Sequence, residues 1–286
     1  MIWTLALPAL AAEVTDEEIL AAVSERYGKQ VPAAALCTAR PTELPPRFGE
    51  VVVAGVTRGH QGCTSMGLMV EGALVPLPEA APAVIDTEAW AELDPAQRAA
   101  DLRDWTAHVI LAFDQPEALV FSTGSGGKTT VEGTYLHRGE TRGMAIRSEG
   151  SWTFGPQGNV LRREDTKRNV YVTRMATRPG RLQGLSQETV VAALSTQGRV
   201  IRGCFEDAWA EDLTLSGGIH LAWQVTEQKS GRVALIDDPE QPASQALAQC
   251  YSNAIARLEY PEGANGAVQW VFAVQRQPLR EAVGTP

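Results

Sequence analysis

Gly203-Cys204-Phe205-Glu206 opens, and Ala267-Val268-Gln269-Trp270-Val271-Phe272-Ala273-Val274-Gln275 closes, the stretch of this 286-residue chain whose reading decides its fold. Within it, Ile219, Leu221, Trp223 and Val225 alternate with His220, Ala222, Gln224 and Thr226, the period of two of a half-buried strand. A break at Lys229-Ser230-Gly231 leads to the short β-rich run Arg232–Ile236, closed by Asp237-Asp238-Pro239, so the two runs predict an antiparallel hairpin. Leu247, Cys250, Tyr251, Ala254, Ile255 and Leu258 then recur at steps of three and four on one helical face, with Ser244 placed to cap it and Pro261 and Gly263 to end it. The closing stretch alternates again, Val268, Trp270, Phe272 and Val274 against Gln269, Val271, Ala273 and Gln275.

Upstream, Val200, Ile201, Cys204, Phe205, Ala208 and Trp209 form a second helical stripe, so Cys204 and Cys250 each lie on the apolar face of a helix. Two helices covering one face of a three-stranded sheet can bring their Cα atoms within the ~4.4–6.8 Å that a disulfide needs. The expected fold class is α+β, in two domains.

Arg202-Gly203-Cys204-Phe205-Glu206 followed by Leu215-Ser216-Gly217-Gly218-Ile219 resembles the opening of the AgmX/PglI-type C-terminal domain. Trp223-Gln224-Val225 with Gly231-Arg232-Val233 resembles its strand–Gly–strand hairpin, and Ala246-Leu247-Ala248-Gln249-Cys250 with Tyr260-Pro261 its second helix and exit. The resemblance covers about residues 187–275. It implies a TonB C-terminal-like α-β-β-α-β fold and a periplasmic module that binds proteins or cell wall, with no catalytic residues. The membrane anchor and Pro-rich spacer of energy-coupling relatives have no counterpart here.

Composition fits this address. A hydrophobic content of 44% supports globular folding, and a net charge of −9 argues against a nucleic-acid binder, which would carry a basic footprint. Residues 1–12 form an apolar run ending in Ala9-Leu10-Ala11, the pattern of a signal-peptide cleavage site, and are too few to span a bilayer. The positive n-region is missing, which points to an atypical signal or a start further upstream. No other segment is expected to cross a membrane. Four cysteines, Cys37, Cys63, Cys204 and Cys250, allow three pairings, of which the domain split favours Cys37–Cys63 and Cys204–Cys250. Close C-x-x-C pairs are absent, so zinc is not expected.

Taken in order, Thr15 and Glu18 form a capping box before Ile19, Leu20, Ala22 and Val23, in a helix ending at Gly28. Lys29–Pro46 reads as irregular chain pinned through Cys37. Gly49–Val56 reads as a strand, Arg58–Ser65 as a loop holding Cys63, Met66–Pro76 as a second strand and Pro78–Pro82 as a linker. Asp94, Pro95 and Gln97 start a helix with the stripe Ala99, Leu102, Trp105, Val109 and Phe113, expected to be the central one of its domain. Four strands follow, Ala118–Ser122, Thr129–His137, Arg142–Phe154 and Val160–Met175, expected to curl around that helix in an NTF2-like or cystatin-like layout. The expected division is a domain over 13–176, a linker over 177–185 marked by Pro179, Gly180 and Gly184, a second domain over 186–276 opened by Ser186, and a loose tail over 277–286.

Candidate chemistry is sparse. Ser122-Thr123-Gly124-Ser125-Gly126-Gly127-Lys128-Thr129 ends like a phosphate-binding loop, but the β-branched run after it cannot supply the helix such a loop requires, so a hairpin turn is expected. His60, His108, His137 and His220 are scattered, leaving no metal pair. His60 beside Cys63 would make a nucleophile only with a free thiol. Asp237-Asp238 and Asp16-Glu17-Glu18 read as turn and helix-start residues. The mixed run Arg162–Arg168 reads as solvated, with a contact to an acidic partner or cell-wall polymer as the sharper reading. No cofactor and no catalysis are expected. The expected role is a non-catalytic periplasmic or secreted interaction module, part of a motility- or transport-related envelope complex. Its partner is an envelope protein or cell-wall component that adds a strand to the edge Val268, Gln269, Trp270, Val271 and Phe272. The alternatives are a small-molecule carrier or enzyme with a pocket in the first domain, and a purely structural part of a larger envelope assembly.

Overall fold

A computed structural model describes residues 14–57, 62–236 and 244–279. The expected signal peptide, His60, the Asp237-Asp238 turn and residues 280–286 of the expected tail lie outside them. The protein is α+β, as its patterning predicts. It divides into two compact units, the first made of residues 1–135 and 149–166, the second of residues 136–148 and 167–286.

In the first unit, helix α1 (Asp16–Tyr27) starts on the expected capping box and stops at Gly28, whose φ of 64° is left-handed and suits glycine. Strands β1 (Leu36–Ala39), β2 (Val52–Thr57), β3 (Cys63–Val70) and β4 (Ala73–Val75) form an antiparallel sheet in sequence order. The apolar run 51–56 is continuous because both faces of this sheet are covered. Val51 and Val53 enter one core cluster, and Val52, Ala54 and Val56 pack against Ile19 and Val23 of α1.

Cys37 is on β1 and Cys63 opens β3, so neither sits in irregular chain as expected. Their disulfide, with Cα atoms 6.3 Å apart, passes over Gly55 of the intervening β2. A Cβ at Gly55 would lie 2.5 Å from the Cys63 Sγ and 2.7 Å from the Phe113 ring, which explains the glycine.

The expected linker Pro78–Pro82 is helix α2 (Leu77–Val84) instead. Pro78 falls in the first turn, where no N–H partner is lost, and the helix continues through Pro82 with Ala80 and Ala81 buried. Helices α3 (Thr87–Glu92) and α4 (Pro95–Trp105) follow, and a π-helical turn over Thr106–Ile110 extends α4. Asp94 and Gln97 close the predicted capping box.

Trp105 and Val109 are fully buried among Phe48, Val53, Leu68, Val131, Trp152 and Phe154. The central helix is therefore covered from two sides: by the small sheet, which the strand-by-strand reading left separate, and by the strands after it. Those strands are β5 (Gln115–Thr123), β6 (Thr129–Arg138), β7 (Met144–Phe154) and β8 (Val160–Gln183). The space where a pocket was expected, between helix and sheet, is filled by these aromatic side chains.

Residues 167–183 of β8 belong to the second unit. Residues 177–183 do not link domains as expected. They are strand, paired with Phe272 back to Ala267 of β12 (Gly266–Pro278). Pro179 lies opposite Trp270 at a register shift, and such an irregularity accommodates a residue without an N–H.

The rest of the second unit follows its pattern: α5 (Gln187–Thr196) capped by Ser186, α6 (Gly198–Glu211), β9 (Gly217–Thr226), β10 (Lys229–Ser230), β11 (Ala234–Ile236) and α7 (Gln245–Ile255). The hairpin turns at Glu227-Gln228, both with positive φ (50° and 68°), and not at Lys229-Ser230-Gly231, because Lys229 already pairs with Thr226. Ile219, Leu221, Trp223 and Val225 of β9 join Val268, Trp270, Phe272 and Val274 of β12 in one core with α6 and α7. The Cys204–Cys250 bond ties those helices together, with Cα atoms 5.8 Å apart.

Candidate functional site

Val268, Gln269, Trp270, Val271 and Phe272 do not form an edge. On one side β12 pairs with β9, from Gly266 opposite Val225 to Val274 opposite Gly217. On the other it pairs with β8. Both rows of backbone groups are used, so no strand can be added there. The expectation rested on no strand following β12 in sequence, but the second neighbour precedes it.

The long edge strand is β5. It pairs with β6 and has no strand on its other side among the described residues. Every residue of β5 except Gln115 and Leu119 is exposed, including Val120 at 64% and Phe121 at 37%. Other edge strands are two to four residues long, β10, β11, β4 and β1, and short edges are poor templates for pairing.

The phosphate-loop-like stretch is the turn that ends β5. The Gly124 N–H donates to the Lys128 carbonyl at 2.8 Å, and Gly126 and Gly127 both take φ 71°. β6 starts at once at Thr129, so no helix terminus is present to hold a phosphate. In an antiparallel ladder hydrogen-bonded pairs recur every second residue. Counting back from Gly124–Lys128 therefore turns Ser122 and Val120 toward β6, and Thr123 and Phe121 outward.

Beside this edge, on the face away from α4, lies a groove of about 470 Å³ lined by Ala118 and Val120 of β5 and by Glu132, Glu149, Ser151 and Glu164 of the next three strands. Ser151 hydroxyl donates to Glu132 at 3.4 Å, and Arg162 pairs with Glu164. The unit around it is strongly acidic. Its sequence holds 10 Lys and Arg against 21 Asp and Glu, a formal charge of −11, whereas the second unit holds 15 against 13, or +2.

The other face of the same strands carries a polar cluster. Arg163 Nε donates to Asp165 at 2.6 Å, and Tyr135 hydroxyl donates to the other Asp165 oxygen at 3.0 Å. Burial, helped by the nearby Asp165 charge, raises the Tyr135 hydroxyl to about 12. Burial also pushes the Asp114 carboxyl to about 7, against the pull of Arg163 and with a push from Asp165. Arg163 and Asp165 are thus paired with each other within the first unit, while the run Arg162–Arg168 as a whole is exposed, as the solvated reading expects.

The remaining candidates stay apart. His108 faces Glu43 at 3.6 Å, His137 meets Ser148 at 3.1 Å, and His220 lies on β9 opposite Val271. Among the described residues no three His, Cys, Asp or Glu side chains gather as a metal site, and no helix is long and apolar enough to cross a membrane. All four cysteines are paired as the domain split favoured.

Sequence reasoning placed β5 but missed that it is the edge. The available signal was its place as the first strand of a run of hairpins, together with Ala118-Leu119-Val120-Phe121, which is apolar on both faces. Compared with family models, curated proteins and solved structures, the chain matches none.

Proposed function

We propose that this chain is a non-catalytic binding module of an extracytoplasmic compartment, and that it takes up an extended segment of an envelope partner along β5. The observation that carries this reading is the nine-residue strand β5, which has no strand on its other side among the described residues and exposes Val120 and Phe121 in its second half. An edge of that length offers backbone N–H and C=O groups for one more strand, and the two side chains add apolar contact. Two disulfides in a chain of this size support an oxidising compartment. The second unit supports kinship with the TonB C-terminal-like domains through its order of stapled helix, hairpin, helix and strand.

Phe121→Pro removes an outward N–H and leaves the bonds to β6 in place. Affinity purification from envelope extracts should recover a partner with the parent protein and lose it with Phe121→Pro. Retention of that partner at the same yield would overturn the β5 reading.

A further inference from the structure

We infer that the β5 edge selects an extended basic segment, one whose alternate residues are Lys or Arg. This deepens the β5 reading and rests on it. A strand added beside β5 continues the pleat, so every second side chain points to the face that holds the groove. On that face lie Glu132, Glu149 and Glu164, one on each of the next three strands, around small residues that leave the 470 Å³ open. Each long cationic side chain from the added strand reaches inward across Ala118 and Val120 toward Glu132 on the adjacent β6, while Glu149 and Glu164, two and three strands in from β5, add negative potential to the same face. Its apolar neighbours fall on the opposite face, beside Phe121.

Charge complementarity names the partner's sign. The unit that carries the groove has a formal charge of −11, which draws in a basic segment and repels an acidic one. Arg162 on Glu164 and Ser151 on Glu132 are exposed or partly exposed, so an incoming cation can replace them at little cost.

The test uses the full chain and three labelled nonapeptides, alternating Lys-Val, Thr-Val and Glu-Val, with binding read by fluorescence anisotropy at low salt. The Lys-Val peptide should bind about tenfold tighter than Thr-Val, and Glu-Val should not bind. Glu132→Gln, Glu149→Gln and Glu164→Gln together should erase the preference. The same charge change at the exposed Glu17, Glu25 and Glu79 should leave it intact, which separates the groove from general attraction to an acidic protein. Phe121→Pro should weaken Lys-Val binding about tenfold. Thr123→Pro, at the strand end, should do the same if the first variant folds poorly.

Equal binding of Thr-Val and Lys-Val, both weakened by Phe121→Pro, would leave the edge standing and overturn the basic preference. Preference for Lys-Val that survives the groove variant would also overturn it. Binding of all peptides that ignores both proline variants would overturn the edge reading itself.

Discussion

The double variant Cys204→Ala/Cys250→Ala should unfold with about 4 kcal/mol less stability than the parent, because the bond closes a loop of 46 residues in the unfolded chain. The Cys37–Cys63 bond, with a separation of 26, should contribute about 3.5 kcal/mol by the same loop-closure entropy. Either is a large part of the roughly 5–15 kcal/mol that a domain holds. The core around the first bond contains Trp209, Trp223 and Trp270, so urea titration followed by tryptophan fluorescence reports on it directly. A loss under about 1 kcal/mol would show that loop closure is not what the bond supplies. Alkylation without reductant should modify none of the four cysteines. Reactive thiols mapping to Cys204 and Cys250 in the protein as isolated would remove the main support for an oxidising compartment.

The parts of this fold legible in the sequence are those set by local periodicity. Ile219, Leu221, Trp223 and Val225 had to share a face, as did Val268, Trp270, Phe272 and Val274, and their burial follows from period two alone. The helical stripes through Cys204 and Cys250 likewise put both sulfurs on the apolar faces of their helices, where the disulfide forms. Periodicity says which side chains turn inward. It does not say which strand lies alongside.

That is why β12 was mistaken for an edge. Its second neighbour, residues 171–183, carries Pro179 and Gly180, which locally argue for a link between domains. Long-range pairing to β12 overrides the local preference by placing the proline at an irregularity of the ladder. The stretch Pro78–Pro82 is likewise helical against its local preference, with Ala80 and Ala81 packed in the core. The candidate site was half legible for a related reason. Val120 and Phe121 read as strand, but their exposure is a property of the empty position beside them.

Asp114→Asn should stabilise the protein at pH 8 and leave it nearly unchanged at pH 4. Burial holds the Asp114 carboxyl at about 7 in the folded chain, against 3.8 for the free side chain. Between those values the folded state keeps a proton that the unfolded chain has released. Stability from this group is therefore undiminished below about pH 4, falls as pH rises through the window, and is lowest above about pH 7. At 1.36 kcal/mol per unit the penalty at pH 8 approaches about 4 kcal/mol, and the neutral carboxamide removes it.

Asp165→Asn should act in the opposite direction. Its oxygens accept from Arg163 and Tyr135, so neutralising it weakens two charge-assisted bonds instead of relieving a buried charge. Melting curves of both variants at pH 4 and pH 8 separate the two carboxylates. Equal shifts for Asp114→Asn at both pH values would show that its carboxyl titrates like an exposed one. The site matters for β5 because Asp114 immediately precedes Gln115, where the strand begins.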